Sequence, residues 1–273
     1  MVSARSELPH LIGVIHLQPL PGSARFAGSL SRVLDAASRD AEALVAAGFD
    51  GIIVENYGDA PFARGRVGAE TVAAMTTAVR RVRGIAPTVP VGVNILRNDA
   101  RAALAVAMAT EASMVRINVH VGARVTDQGL IEGDAHETLR YRRMIGADAV
   151  RLLCDVAVKH SAPLAPRPIT EEAQELVERG LADAVLVTGT GTGAAVDARE
   201  LSEVVSALGE HHQGGAPVYI ASGATFDNLS KYRAAYGAIV GSALRVSGRA
   251  GDPIDSKLAR AFATAWSRVR RGK

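Results

Sequence analysis

Cysteine, aromatic residues and long apolar runs are all scarce in this chain, and each scarcity closes off a class of protein. Cys154 is the only cysteine among 273 residues, so an internal disulfide framework and a cysteine-rich zinc site are excluded, and a cytoplasmic setting is expected. Aromatics amount to 4%, too few for the stacking platforms of single-strand nucleic-acid binders. The formal charge of +3 comes from 31 basic and 28 acidic residues scattered along the whole length. Without a basic arm or stripe, no nucleic-acid partner is expected. No apolar run approaches the roughly 18 residues of a membrane span, and MVSARSELPH at the start lacks the apolar centre of a signal peptide. Peripheral attachment to a membrane surface is neither required nor forbidden by these features.

What is present is a repeating alternation. Short β-branched runs such as LIGVI (11–15), DGIIVEN (50–56), PVGVNIL (90–96) and SMVRINV (113–119) are each followed by a longer stretch rich in Ala, Leu and Arg. The helical stretches predicted in the first half are 29–48, with Ser29 or Ser31 as cap and Gly48 as stop, then 69–84 and 99–112. Residues 120–146 read as a loop leading into a helix that begins near Asp134. The strands AVRLLCDV (149–156), ADAVLVTG (182–189), APVYIAS (216–222) and AIVG (238–241) then alternate with helices at 169–180, 197–211, 226–237 and 254–271. Nearly continuous apolar strands separated by amphipathic helices imply a parallel sheet covered on both sides. Eight such units suit a closed (β/α)8 barrel, with an open doubly wound sheet as the rival, since strand order is not written in a single sequence. No linker rich in Pro, Gly or Ser divides the chain, so 1–273 reads as one α/β domain with its barrel over about 11–271.

Barrels of this kind carry their chemistry at the carboxyl ends of the strands. In GVIHLQPLPG (13–22) the first strand hands His16 to a stretch that Pro19, Pro21 and Gly22 prevent from continuing as strand or helix. Glu55 and Asn56 follow the second strand, and Asn94, Arg97 and Asn98 the third. Arg116, Asn118 and His120 mark the fourth, and Asp155, Lys159 and His160 the fifth. Thr188, Thr190 and Thr192, then Ser222, then Ser242 follow the last three. Asp99, Asp197 and Asp227 are explained as helix caps. Glu55, Arg116 and Asp155 weigh most, because a charge on an inward strand position needs a partner or a purpose. An ion-pair network inside the mouth is the bland alternative.

The turns TGTGTG (188–193), SGAT (222–225) and VGSAL (240–244) bring small residues where backbone N–H groups can approach an anion. The last two follow the strands whose loops often hold phosphate in such barrels. TGTGTG lacks the GK[ST] ending of a P-loop, and no GxGxxG follows a strand. His16, His120 and His160 could meet near Asp155, yet no spacing ties them together, so no metal site is expected. Lys159 would form a Schiff base if it pointed inward, although a loop position with a phosphate or carboxylate partner fits its spacing better. Cys154, inside LLCDV, reads as inert packing.

IGVIHLQPLPGSARF, DGIIVENYGDAPF, VGVNILRNDARAALAVA, RINVHVGARVTDQGLIEG, GADAVRLLCDVAVKHSAPLAPR, ADAVLVTGTGTG, SGATFDNLSKY and GAIVGSALRVSG resemble, in order and over nearly the whole chain, the BtpA/SgcQ family. The resemblance implies a TIM barrel of the ribulose-phosphate-binding type. One branch of that family is named for photosystem I biogenesis, and another is described as a nucleosidase. Arg245 stands where the resemblance leads one to expect lysine; it keeps the charge but not a lysine-specific role.

The expectation is an enzyme acting on a phosphorylated sugar or nucleoside-type substrate, as a nucleosidase or as an isomerase or lyase. His16, Glu55 and Asp155 would be its acid-base groups. Asn94, Arg116, Asn118, Lys159 and His160 would bind substrate, and Thr190, Gly191, Thr192, Gly193, Ser222, Gly223, Gly241 and Ser242 would bind phosphate. No cofactor is called for, the partner is a phosphate- or ribose-containing small molecule, and a symmetric homo-oligomer is expected. The alternative, of a different class, is a non-catalytic assembly factor for a membrane complex of the photosystem I type.

Overall fold

The computed structural model describes residues 7–209 and 215–271. With strands numbered in chain order, eight of them run parallel and close into a barrel. They are β1 (Leu11–His16), β2 (Gly51–Glu55), β3 (Val91–Asn94), β4 (Met114–Ile117), β7 (Arg151–Val156), β9 (Ala184–Val187), β10 (Val218–Ile220) and β11 (Gly237–Val240). Pairing of β1 with β11, Leu11 opposite Ala238, closes the ring and removes the open-sheet rival. Around it lie α1 (Leu30–Ala47), α2 (Ala69–Ile85), α3 (Ala100–Thr110), α4 (Ala135–Met144), α5 (Ile169–Glu178), α6 (Ala198–Leu208) and α7 (Ser256–Arg271). No helix among the described residues is long and apolar enough to cross a membrane.

Local chemistry sets several boundaries. Ser29 accepts the Arg32 N–H at 3.4 Å to begin α1, which stops at Gly48 with φ 84°. Asp99 and Asp197 cap α3 and α6. Asp227 caps nothing. Residues 226–237 contain only a 3-10 turn, Leu229–Tyr232, because Asn228 holds the chain in a tight loop, accepting from Thr225 N at 2.7 Å and donating to Gly223 O at 2.8 Å. The seventh strand is therefore followed by a turn where a helix was expected. Glu210 and His211, expected to end the sixth helix, and residues 1–6, read for a signal peptide, lie outside the described residues.

The connection 120–134 is not a plain loop. It folds into a hairpin of β5 (Ala123–Thr126) and β6 (Gly129–Glu132), and β8 (Ser161–Pro163) joins it on the other side, Thr126 opposite Ser161. This small antiparallel sheet ties the loop after β4 to the loop after β7. Asp127 in its turn and Lys159 and His160 beside β8 are thereby held over the barrel mouth.

Side-chain direction alternates along each strand. Leu11, Ile15, Ile52, Val54, Val115, Leu152, Cys154 and Val185 face outward into the layer beneath the helices. Ile12, Val14, Ile53, Met114, Leu153, Leu186 and Ile239 fill the barrel interior. Carrying the inward parity one step further up puts His16, Glu55, Asn94 and Arg116 at one level, since His16 pairs with Glu55, Glu55 with Asn94 and Asn94 with Arg116. The apolar interior thus ends in a polar ring at the carboxyl end.

The opposite end is closed by two tyrosines. Tyr219 and Tyr236 pack edge to face at 5.3 Å between ring centroids, and their hydroxyls donate to Pro9 O at 2.6 Å and Leu8 O at 2.7 Å. Burial pushes both phenol pKa values up, so both hydroxyls stay protonated donors. Tyr219→Phe strips a buried carbonyl of its donor and should lower stability by about 1–3 kcal/mol in urea unfolding. No change would mean that the plug contributes nothing.

Candidate active site

The polar ring begins with a guanidinium that cannot reach bulk water. Arg116 is 3% exposed and is met by Asp155, whose two oxygens accept from Nη2 at 3.0 and 3.1 Å and from Nε at 3.3 Å. Asn118 Nδ2 donates to the same carboxylate at 2.6 Å, and Asn94 Nδ2 donates to Asn118 Oδ1 and to Arg116 O, each at 3.1 Å. Asp155 and its neighbour Glu55 hold the arginine firmly protonated despite its burial. Asp155 was expected as an acid-base group. Both its oxygens are engaged by Arg116 and Asn118, and it is absent from the lining of the mouth's two lobes, so its place is that of a clamp. Asn94 is likewise a support, one step removed from the open space.

Glu55 has a different setting. It is 5% exposed, and its carboxylate makes no hydrogen bond among the described residues. The nearest cation-forming atom is His16 Nε2, 3.8 Å from Oε1. Burial first, then the positive charges of Arg245, Lys159 and Arg116, drive the His16 pKa well below its ordinary value, so the imidazole is neutral near pH 7. Tyr57 packs its ring against His16 at 4.7 Å.

Two lobes open from this level. The smaller, about 50 Å³, is lined by His16, Thr192, Gly193, Ser222, Gly223, Ala224, Thr225, Gly241, Ser242 and Ala243. The larger, about 400 Å³, is lined by Arg25, Tyr57, Phe62, Leu96, Arg97, Asn118, Asp127 and His160. Glu55, Arg116, Lys159 and Thr192 line both and mark the junction. The backbone N–H groups of Gly193, Gly223, Ala224, Ser242 and Ala243 have no partner among the described residues. A cluster of such donors on a small lobe suits an anion. Two of the glycines are required by space. A Cβ on Gly223, at φ 63°, would lie 2.0 Å from Ala194 O, and one on Gly241 would lie 2.8 Å from the His16 ring.

Several expected phosphate ligands hold the loops instead. Ser222 Oγ accepts from Gly189 N at 2.7 Å and donates to Ala194 O at 3.2 Å. Although Ser222 borders the small lobe, its hydroxyl is engaged with the loop. Thr190 and Gly191 line neither lobe; Thr190 O accepts from His160 N. His160 Nε2 accepts from Thr192 N at 3.0 Å, which leaves the ring neutral with its proton on Nδ1. Arg245 lines neither lobe and donates to Asp252 O, Gly241 O and Val14 O, bracing the last loop against the first strand. His120 Nε2 donates to Gly180 O at 2.8 Å, and the residue lines neither lobe. The described residues contain no group of three or more His, Cys, Asp or Glu able to hold a metal.

The residues missed in the sequence are Tyr57, Phe62, Arg25 and Asp127, whereas Ala224, Thr225 and Ala243 belong to the turns SGAT and VGSAL read there as anion loops. Tyr57 follows directly on Glu55-Asn56 and Phe62 stands in the same loop, and Asn56 explains their placement. Its Oδ1 accepts from Leu96 N at 2.7 Å and its Nδ2 donates to Asp59 at 2.9 Å, while Asp59 accepts from Leu20 N at 2.7 Å. The loops after the first three strands are thereby tied together.

Comparison with known proteins agrees with this architecture. The sequence profile of the BtpA family matches residues 8–268. The protein from Synechocystis named photosystem I biogenesis protein BtpA is 45% identical over 258 residues, covering 94% of this chain and 88% of that protein. In structure the chain is similar to phosphoribosyl anthranilate isomerase from Thermococcus kodakaraensis, with TM-score 0.53, 13% identity and coverage of 97% and 100%. It is also similar to 2-keto-3-deoxy-6-phospho-gluconate aldolase from Zymomonas mobilis, with TM-score 0.51, 14% identity and coverage of 95% and 93%. At those identities the likeness is one of fold.

The clamp and the free carboxylate should separate in stability measurements. Asp155→Asn leaves a buried guanidinium without its counter-charge and should cost about 3–5 kcal/mol, whereas Glu55→Gln should change stability by less than about 1 kcal/mol. Equal losses in urea unfolding would contradict the division of roles. The pH dependence has a definite sign as well. His16 is depressed in the fold, so the unfolded chain takes up a proton that the folded chain refuses as pH falls through about 6.5, and stability is lost on the acid side. His16→Gln should therefore have a shallower decline of stability between about pH 7 and about pH 5 than the parent. Parallel declines would show that His16 titrates normally.

Proposed function

The chain belongs to the BtpA family, and from that premise we propose that it is an enzyme that seats a phosphorylated sugar in the barrel mouth and moves a proton at a carbon beside the Glu55 carboxylate. The observation that carries this reading is the convergence of Glu55, Arg116 and Lys159 where the two lobes join. An anion in the small lobe would meet the unpartnered N–H groups of Gly223, Ala224, Ser242 and Ala243. The sugar carbons would then lie over Glu55, and the larger lobe would take a second substituent against Tyr57 and Phe62. Such fixed placement is itself a large part of catalysis, since it replaces a collision by a positioned pair of groups. Glu55 is the candidate base, and Arg116, anchored by Asp155, is poised to balance charge developing on the substrate oxygen. His16 supports as a neutral imidazole. Isomerase or lyase chemistry follows most directly from these parts; hydrolysis of a nucleoside would use the same seat with Glu55 beside the ribose, and we place the reaction in the cytoplasm.

A second reading is favoured by the name of the Synechocystis relative: a barrel that serves assembly of a membrane complex without turnover. The two readings differ in what they ask of the mouth.

A thermal-shift series decides between them. Ribose 5-phosphate and related sugar phosphates should raise the melting temperature by mass action, while unphosphorylated ribose should not. Ala243→Asp, which sets a negative charge in the small lobe, should abolish that response without altering the melting temperature of the free protein. A response to nucleosides alone would shift the reading to a nucleosidase, and silence across both panels would favour assembly.

A further inference from the structure

Lysine is rare here. Only Lys159, Lys231, Lys257 and Lys273 stand among 31 basic residues, so wherever this chain needs a positive charge it almost always uses arginine. Lys231 and Lys257 are exposed on the surface. Among the described residues Lys159 is the one lysine placed in the mouth, on the short link between β7 and β8, and it lines both lobes. Arginine would grip a phosphate or carboxylate at least as well, through two parallel hydrogen bonds. What arginine cannot do is lose its proton and attack a carbon.

The surroundings of the amine match that distinction. The link is pinned at its backbone, Lys159 N donating to Thr188 Oγ1 at 3.1 Å and Lys159 O accepting from Arg97 Nη2 at 2.7 Å. The amine itself has no hydrogen bond and no carboxylate at ion-pair distance among the described residues. Asp155, the acid that would pair with it, is occupied by Arg116 and Asn118. Burial and the neighbouring Arg116 lower its pKa, while Glu55 and Asp155 act the other way. A desolvated lysine next to a fixed cation is a recurrent way of obtaining a neutral, nucleophilic amine.

We propose that Lys159 is the nucleophile of this enzyme and forms an imine with the carbonyl carbon of an open-chain sugar phosphate. This rests on the phosphorylated-sugar reading of the mouth. The nitrogen lone pair makes the new C–N bond, both protons of the neutral amine leave with the carbonyl oxygen as water, and the imine nitrogen takes one proton from solvent. The Glu55 carboxylate then removes a proton from the adjacent carbon, and the electron pair moves onto the iminium nitrogen to give an enamine. Nothing is oxidised or reduced. The substrate class is narrowed to an aldose or ketose phosphate that can present an open-chain carbonyl, because Lys159 stands where the small lobe meets the larger one.

Incubation of the full chain with sodium cyanoborohydride and either ribose 5-phosphate or dihydroxyacetone phosphate, followed by peptide mass mapping, tests this. Hydride delivered to the imine carbon fixes the sugar phosphate to the lysine that formed it. The adduct is expected on Lys159 and not on Lys231 or Lys257, and is expected to be lost in Lys159→Arg and kept in Lys231→Arg, which changes only a surface amine. Labelling spread evenly over the lysines, or no adduct on Lys159 in a protein that still responds thermally to the sugar phosphates, overturns the imine and leaves the phosphate site standing. No adduct together with no thermal response overturns both.

Discussion

The pairing of Arg116 with Asp155 inside the barrel mouth is the constraint from which the rest of the site follows. A guanidinium taken out of water is tolerated only with its charge balanced and its donors engaged. The carboxylate from β7 and the amide of Asn118 meet both needs, and Asn94 steadies the amide from β3. Three neighbouring strands are thereby locked at their carboxyl ends by one network. Its consequence is subtraction: with Asp155 engaged, Glu55 and Lys159 are left where the two lobes join, with no hydrogen-bonding partner for either side-chain charge among the described residues. Two reactive groups that do not neutralise each other by contact, held on a rigid frame, are what a site for proton transfer or covalent chemistry needs.

The loops complete the mouth by closing on one another. Asn56 and Asp59 bind the first three loops together, the small antiparallel sheet joins the loops after β4 and β7, and Ser222 joins the sixth loop to the seventh. Arg245 braces the eighth against β1. The backbone donors of the last loops remain unpaired because the side chains that could have satisfied them hold the loops in shape instead.

Much of this was legible in the amino-acid sequence, and the part that was not has physical causes. The alternation of apolar strands with amphipathic helices leads to the barrel, and Glu55, Arg116 and Asp155 stand out as charges at inward positions of otherwise apolar strands. GVIHLQPLPG is legible on the same grounds: the strand delivers His16 to the polar ring, and Gly58 then lies so close to the following loop that a Cβ there would come within 2.4 Å of Pro19 N. The division of labour among the polar residues was not legible, because whether Asp155 is free or engaged depends on Arg116, 39 positions away. The same holds for Ser222 and Ala194, and for Arg245 and Val14. The hairpin in RVTDQGLIE escaped notice because its strands are four residues each and its third partner comes after β7. Asp127 entered the mouth only through that pairing.

A barrel with this mouth is best understood as a scaffold that holds one anion and one electrophilic carbon at a set distance, with Glu55 and Lys159 between them. The most direct measurement is a crystal structure of the protein soaked with ribose 5-phosphate. The expected density places the phosphate in the small lobe against residues 223–224 and 242–243, with the sugar carbons directed toward Glu55 and Lys159. A phosphate bound elsewhere, for example in the groove between the hairpin and α4, with the small lobe filled only by solvent, would contradict it.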